Sequence, residues 1–386
     1  MQIATEATTL LTFHPGFKVV CVVGGTNISS DKKKLDGRVD FLVATPGRLN
    51  DHLQNTTNFG DRCKTNVKVL IFDEADQLLE MGFRPEVEKI LRYMPAVSAR
   101  QTLLFSATVP EAVRTIADAA LRPGYAFIDT VGEEEQTHLH VRQQIAICDL
   151  EAQIPAIASI LAQQMAVPNF KIIVFFTTAR QTGFMSEIFQ KMGHNVLEIH
   201  SRKSQSQRTK TSEQFKESVN VILFSSDVSA RGMDYPDVTF VLQVGLTERE
   251  QYIHRLGRTA RAGKLGSGMI LLCPFEEHSM LRDLSDMPLE PLDLASLSLS
   301  TFQTHCKSFI CNVSRDSELR KSAEQTYAAW LGFYNSNLRK CRWDKPKLVE
   351  MANFFATTLG LLEQPTLEKK TVGKMGLKGV PGLRVK

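Results

Sequence analysis

Short apolar runs alternate with helical spacing along the first 130 residues. Lys18–Val23, Val39–Ala44, Val67–Phe72, Gln101–Phe105 and Ala126–Ile128 are apolar and of strand length. Between them, apolar positions recur three and four apart, the signature of one helix face. Continuous apolar strands separated by helices predict a parallel β-α-β sheet, buried on both faces. The polar, acidic run Gly132–Gln136 predicts a linker. From Gln143 the rhythm resumes, with strands predicted at Lys171–Phe176, Asn195–Ile199, Val219–Phe224, Val238–Val244 and Ser267–Leu272. Helices fit between them at Glu151–Gln164, Arg180–Met192 and Gln205–Lys216. After Pro274 the strand pattern stops. Ser317 can cap a helix whose apolar positions Leu319, Ala323, Tyr327, Trp330, Leu331 and Tyr334 share one face, and Asp344–Thr358 reads as another helix. The chain therefore divides into an α/β unit at 1–131, a linker at 132–142, a second α/β unit at 143–277, a helical extension at 278–362 and a tail at 363–386.

Composition narrows this picture only a little. Of 386 residues, 43% are hydrophobic and 23% charged, which excludes a wholly disordered or fibrous chain. No run of about 18 uncharged apolar residues occurs, which argues against a membrane span. Seven scattered cysteines without a Cys-x-x-Cys argue against a disulfide framework or a zinc site and fit a reducing compartment. The net charge of +4 is concentrated: residues 363–386 hold six bases against two acids. With Gly373, Gly376, Gly379 and Gly382 among the lysines, this tail is expected to be mobile. A nucleic-acid partner is the sharper reading of its charge. Residues Met1–Ala7 carry neither an Arg-rich presequence nor an apolar signal core, so the compartment is not legible there.

The chemistry sits at strand ends. Asp73-Glu74-Ala75-Asp76 follows an apolar strand, where α/β folds place ligand chemistry. One such carboxylate can hold Mg²⁺ and the next can orient an attacking water; acids favoured by a helix dipole are the plainer alternative. Ser106-Ala107-Thr108 ends the next strand. Ser225 to Asp234 follows a strand of the second unit, and His254-Arg255-Leu256-Gly257-Arg258-Thr259-Ala260-Arg261-Ala262-Gly263 follows a helix. In this order the motifs resemble those of the DEAD-box RNA helicases of superfamily 2, over nearly all of residues 1–275.

The resemblance implies two tandem RecA-like parallel-sheet domains followed by a helical C-terminal extension. It implies ATP and Mg²⁺ as cofactors and RNA as partner, held by its backbone with little sequence preference. Asp73 would hold the metal and Glu74 would be the catalytic carboxylate. Ser106 and Thr108 would bond towards Asp76 and His254, coupling hydrolysis to domain closure. Asp234 matches the residue that takes the ribose. Arg258 and Arg261 match the arginine pair that reaches the γ-phosphate, and their separation of three places them on one side of a helical turn. Gly24-Gly25 and Thr45-Pro46-Gly47-Arg48 match first-domain RNA contacts, with Thr45 at a helix start that suits a phosphate. Phe175–Arg180 resembles the fourth motif and Gln205 with Arg208 its companion. Ser226 stands where the family usually has Thr, and the hydroxyl is kept.

The resemblance also breaks. No Gly-x-x-x-x-Gly-Lys-[Ser/Thr] run occurs in residues 1–386, nor the glutamine motif that precedes it in the family. The family's Pro-Thr-Arg-Glu-Leu-Ala-x-Gln-Ile is matched only by Met1-Gln2-Ile3. The expectation is a chain that begins inside that motif, with an incomplete first domain that exposes apolar strand faces and unpaired edges. The second unit is complete by pattern. In the extension, Trp330, Phe333, Tyr334, Trp343, Phe354 and Phe355 favour packing. The bases Arg339, Lys340, Arg342, Lys345 and Lys347 are evenly balanced between a wet face and RNA contact. The extension resembles the fungal mitochondrial and plant branch, which implies a mitochondrial matrix protein, with nucleus, nucleolus or cytoplasm as alternatives. The leading reading is an ATP-dependent RNA helicase given as a truncated chain. The rivals are a non-catalytic RNA-binding protein built on the second unit and extension, and a defective product that folds only in part.

Overall fold

The computed structural model describes residues 1–80, 82–129, 141–227, 234–260, 264–294 and 299–386. The expected linker at 132–142 and Arg261 fall wholly or mostly outside these residues. The chain forms two compact units, 1–132 and 133–386.

In the first unit, β1 (Val19–Val22) pairs in parallel with β2 (Phe41–Ala44), and β3 (Val69–Phe72) with β4 (Gln101–Leu104). These are two separate two-stranded sheets. Each lies on its own small core: Val20, Val22, Leu35, Leu53 and Phe59 under one, Phe72, Val87, Val113 and Ile116 under the other. Val69 and Ile71 of β3 are 48% and 54% exposed. A two-stranded sheet leaves this apolar strand face open. One expectation fails here. Ala126–Ile128 forms no strand, and Phe127 and Ile128 are exposed. An apolar run becomes a strand only beside another strand, and none lies against it among the described residues.

The second unit is a seven-stranded, all-parallel sheet in the order β11-β5-β10-β9-β6-β8-β7. Its strands are β5 (Arg142–Ile147), β6 (Lys171–Phe175), β7 (Val196–Ile199), β8 (Val221–Ser225), β9 (Phe240–Val244), β10 (Ser267–Leu272) and β11 (Leu289–Pro291). Every residue of β6, β8 and β9 is buried, because helices cover both faces. Ile173, Phe175, Phe215, Leu223 and Val241 fill one side. The other side holds a larger core that runs without a break into the extension.

That continuity defines the extension. Asp316, not Ser317, caps the helix Ser317–Ser336, its carboxylate accepting from the Glu318 and Leu319 amides. The six expected apolar positions of that helix are all buried. Trp330 stacks on Phe355 at 4.9 Å between ring centroids and meets Tyr334, Phe275 and Trp343. Asp344 caps the helix Lys345–Thr358. The tail is folded rather than mobile. β12 (Thr366–Leu367) pairs with β13 (Arg384–Val385), and Leu367, Val372 and Leu377 are buried. Asn335 and Asn353 donate side-chain amides to the carbonyls of Met375 and Gly382. The glycines thus serve tight turns on a packed loop: Gly376, Gly379 and Gly382 all take positive φ.

Candidate functional site

In the first unit, β3 runs out at Phe72 and the chain turns at once into Asp73-Glu74-Ala75-Asp76. Glu74 holds φ at 50°, a left-handed conformation that costs a non-glycine residue about 1 kcal/mol or more. The Ala75 amide donates to the Phe105 carbonyl at 3.0 Å, which ties the turn to the end of β4. Asp76 is buried, and two of its partners come from Ser106-Ala107-Thr108. Its Oδ2 accepts from the Thr108 hydroxyl at 3.0 Å and the Thr108 amide at 3.2 Å. Ser106 Oγ accepts from the Asp76 amide at 3.1 Å and donates to the Thr108 carbonyl at 2.6 Å. The last acid of the tetrapeptide is therefore structural, locking two strand ends together. Asp73 is exposed and Glu74 half-buried, so these two carboxylates carry what ligand chemistry the turn has. An exposed carboxylate oxygen suits a hard divalent cation, so Asp73 fits Mg²⁺.

Beside β1, Gly25 turns the chain with φ at 84°. The Gly24 amide donates to Thr45 Oγ1 at 3.2 Å. Thr45 stands at the N-cap of the helix Pro46–Asn55, but its hydroxyl serves Gly24 and not the helix amides. A Cβ on Gly24 or Gly47 would meet empty space, so a ligand backbone can come close at both. Arg48 behaves differently from its expected RNA contact. Its Nη1 donates to Asp31 Oδ2 at 2.7 Å and its Nη2 to the Thr26 carbonyl at 2.8 Å. Asp31 is 1% exposed and also accepts from the Thr26 hydroxyl. Arg48 thus braces the loop after β1. Asp31 went unseen in the sequence because nothing there links it to an arginine 17 residues on.

In the second unit, basic side chains gather at the carboxyl ends of β6 and β7, with Glu198 paired to Lys203 and 3.8 Å from His200 Nε2. His200 follows β7 and is buried. Its Nδ1 accepts from the Arg202 amide at 3.2 Å, which places the proton of the neutral ring on Nε2. Burial, reinforced by Lys203, Arg180, Arg202 and Arg208, pushes its pKa down to about 4. Arg208 rides the helix Gln205–Glu217, which a Ser204–Gln207 capping box starts. Its Nε is buried with no hydrogen-bond partner among the described residues. The Ser226 amide donates to the Ile199 carbonyl at 3.3 Å, so the loop after β8 borders the same strand end. Arg180 ends the stretch that resembles the fourth motif, whereas Arg202 and Lys203 escaped the sequence reading. The basic run Ser201-Arg202-Lys203 after a strand was the available signal.

The helix Arg249–Leu256 carries His254 and Arg255. Arg255 is buried over the Phe175 ring, its Nε donating to Asp227 Oδ1 at 2.9 Å. The helix stops at Leu256, so Arg258 stands in the turn beyond it rather than on a helical face. Its side chain is largely buried, with Nε donating to the His254 carbonyl at 3.2 Å. Thr259 bonds the Val238 carbonyl, and Ala260 takes φ at 54°, so the residues before Arg261 are held tightly. Asp234 is exposed.

Residues 1–116 match the family model described as DEAD/DEAH box helicase, and residues 153–263 match helicase conserved C-terminal domain. DEAD-box ATP-dependent RNA helicase 26 of Oryza sativa subsp. japonica is 47% identical over 387 residues, covering 99% of this chain and 70% of that protein. The chain belongs to the DEAD-box helicase family. DEAD-box ATP-dependent RNA helicase 31 of Arabidopsis thaliana is 48% identical over 389 residues, 100% of this chain and 53% of that relative. The chain thus spans between half and seven tenths of these family members. A solved structure of Mss116p bound to ssRNA and AMP-PNP superposes with a TM-score of 0.83 at 27% identity, covering 100% of this chain and 78% of that one. The likeness covers the whole chain, the extension included.

Proposed function

We propose that this chain contributes the core of an ATP-dependent RNA helicase, in which ATP hydrolysis drives local separation of RNA strands. The observation that carries it is the knot of Asp76 with Ser106 and Thr108, which leaves Asp73 and Glu74 at one strand end. In this reading water attacks the γ-phosphorus, its proton passes to Glu74, and the bridging oxygen leaves with ADP. Mg²⁺, held through Asp73, supplies charge neutralisation when bound. Arg258 and Arg261 offset the charge developing on the phosphoryl group. Gly24, Gly25, Thr45, Gly47, Arg208 and Ser226 contact the RNA backbone, with Arg48 bracing the first of these turns. Relatives named as RNA helicases, and the Mss116p complex with ssRNA and AMP-PNP, support this.

The test is turnover. Residues 1–386 contain no glycine-lysine phosphate cradle, so the purified chain is expected to show no RNA-stimulated ATPase. Joined to a cradle-bearing upstream segment, it should turn over ATP. Arg258→Ala or Glu74→Gln should then cost on the order of 10³-fold in rate. Near-normal turnover in either variant overturns the roles assigned.

The second reading is RNA binding without catalysis. The bases gathered around His200, and an Arg208 Nε without a hydrogen-bond partner among the described residues, favour it, since they stand on the seven-stranded sheet.

A further inference from the structure

The second unit contains a buried carboxylate that the proposed chemistry does not use. Glu276 is wholly buried. Its Oε2 accepts from the Cys273 amide at 2.8 Å, closing a capping box at the start of the helix Pro274–Asp283. Its Oε1 accepts from the Leu246 amide at 3.0 Å and from the Tyr334 hydroxyl. Burying an ionisable carboxyl is costly, and these three donors offset the cost.

The two groups on Oε1 come from different places. Leu246 belongs to the loop between β9 and the helix Arg249–Leu256, which carries His254 and leads into Arg258. Tyr334 belongs to the extension. The loop has no slack at this point. Gly245 takes φ at 86°, and a Cβ there would stand 2.8 Å from Thr177 Cγ2 and 3.2 Å from Glu276 Oε1. A second extension residue grips the other end of the loop: Lys340 Nζ donates to Glu248 Oε1 at 2.8 Å and lies 3.6 Å from Asp283. Glu248 is the N-cap of that same helix.

We propose that Tyr334 and Lys340 are positioning residues, which fix the Gly245–Glu248 loop through Glu276 and Glu248 and so set where Arg258 sits. The extension then acts on the arginine directly, beyond its general contribution to the core. The inference rests on the assignment of Arg258 to ATP chemistry given above.

Hydrogen exchange on the 386-residue chain, without nucleotide or RNA, tests the positioning on its own. Tyr334→Phe should speed exchange at Leu246 and through residues 248–252 by about five- to tenfold, the loss of one net hydrogen bond. The amides of β6 and β8 should be unchanged. Tyr327→Phe is the control: it removes a hydroxyl of the same helix, bonded to Asn353 at 3.0 Å within the extension. It should leave residues 246–252 untouched. Lys340→Ala should loosen residues 248–252, and Lys340→Arg should restore them. Unchanged exchange in both Tyr334→Phe and Lys340→Ala, or the same loosening from Tyr327→Phe, overturns the proposal. In the chain joined to a cradle segment, Tyr334→Phe should lower kcat several-fold and leave KM for ATP unchanged. Full kcat alongside a loosened loop overturns the link to Arg258. Full kcat in Arg258→Ala would instead overturn the proposed function, which the exchange data do not touch.

Discussion

Strands β3 and β6 are both apolar central-type segments, Val-Leu-Ile-Phe against Lys-Ile-Ile-Val-Phe, and both carry site residues at their carboxyl ends. Yet Val69 and Ile71 of β3 are about half exposed, whereas β6 is buried throughout, Lys171 included. The difference lies in the neighbours. β6 has β9 on one side and β8 on the other, while among the described residues β3 pairs with β4 alone. An apolar sequence sets a strand's potential to be buried; the partner strands decide whether that potential is met. The first unit holds a well-ordered knot on a sheet whose outer face is apolar and open, and the second holds a complete sheet.

The sharpest way to break this comparison is to separate the units. Residues 141–386 alone should unfold cooperatively in urea and bind no hydrophobic dye. Residues 1–132 alone should bind the dye strongly and unfold without a cooperative transition, because Val69, Ile71, Phe105, Phe127 and Ile128 offer an exposed apolar surface. A sharp transition from the first unit alone would show that its two small cores suffice.

Matched core truncations sharpen the same contrast within the whole chain. Phe224→Ala in β8 removes a wholly buried ring that packs edge-on against Phe176 and Phe189. It should cost about 3–5 kcal/mol. Ile71→Ala in β3, at 54% exposure, should cost less than about 1 kcal/mol. Equal losses would mean that β3 is covered in solution by something these residues do not show.

Much of this was open to reading from the chain. Asp73, Ser106 and Ser226 lie at strand ends where the alternation put them, and the five strands predicted in the second unit start within two residues of expectation. β5 was not predicted, and β11 lies where the strand pattern was expected to have stopped, because three residues are too few to show a pattern. Three features were not legible, each for a physical reason. The Ala126–Ile128 strand needed a neighbour that local pattern cannot supply. The tail looked mobile because lysine and glycine dominate it, but three well-spaced apolar residues, Leu367, Val372 and Leu377, are enough to pin it. The extension's bases had two readings because their partners are remote in sequence. Lys340 pairs with Glu248 and Asp283, Arg342 with His278, and Lys345 with the Gly376 carbonyl. With Lys347 paired to Glu350, four of the five bases that were balanced between a wet face and RNA contact have partners within the protein.

That result moves the basic face to the folded tail, where Lys369, Lys370, Lys374 and Lys378 are exposed. Deleting the tail would remove buried leucines along with charge, so substitution is the cleaner probe. Changing these four lysines to Ala should flatten the dependence of single-strand RNA affinity on salt, by at most about 0.7 in slope per lost phosphate contact. Base sequence should matter little to either protein. An unchanged slope would confine RNA contact to the bases around His200 in the second unit.

A last test reads that group of bases directly. His200 titrates near 4 in the folded chain against an ordinary value of 6.5, first because it is buried and then because Lys203, Arg180, Arg202 and Arg208 surround it. Above pH 6.5 the ring is neutral in both folded and unfolded chains and contributes nothing to pH dependence. As the pH falls from 6.5 towards 4, the unfolded chain takes a proton that the folded chain refuses, so stability drops, by up to about 3 kcal/mol. Proton exchange of the ring, followed by NMR, should show the low value. Removing a neighbouring cation with Arg208→Gln should raise it, as should phosphate groups of bound RNA that offset the cations. A His200 titration that moves with Arg208→Gln but ignores RNA would mean that these bases gather without being where the RNA backbone lies. A rise in both would place a phosphate beside Arg208, whose buried Nε has no hydrogen-bond partner among the described residues.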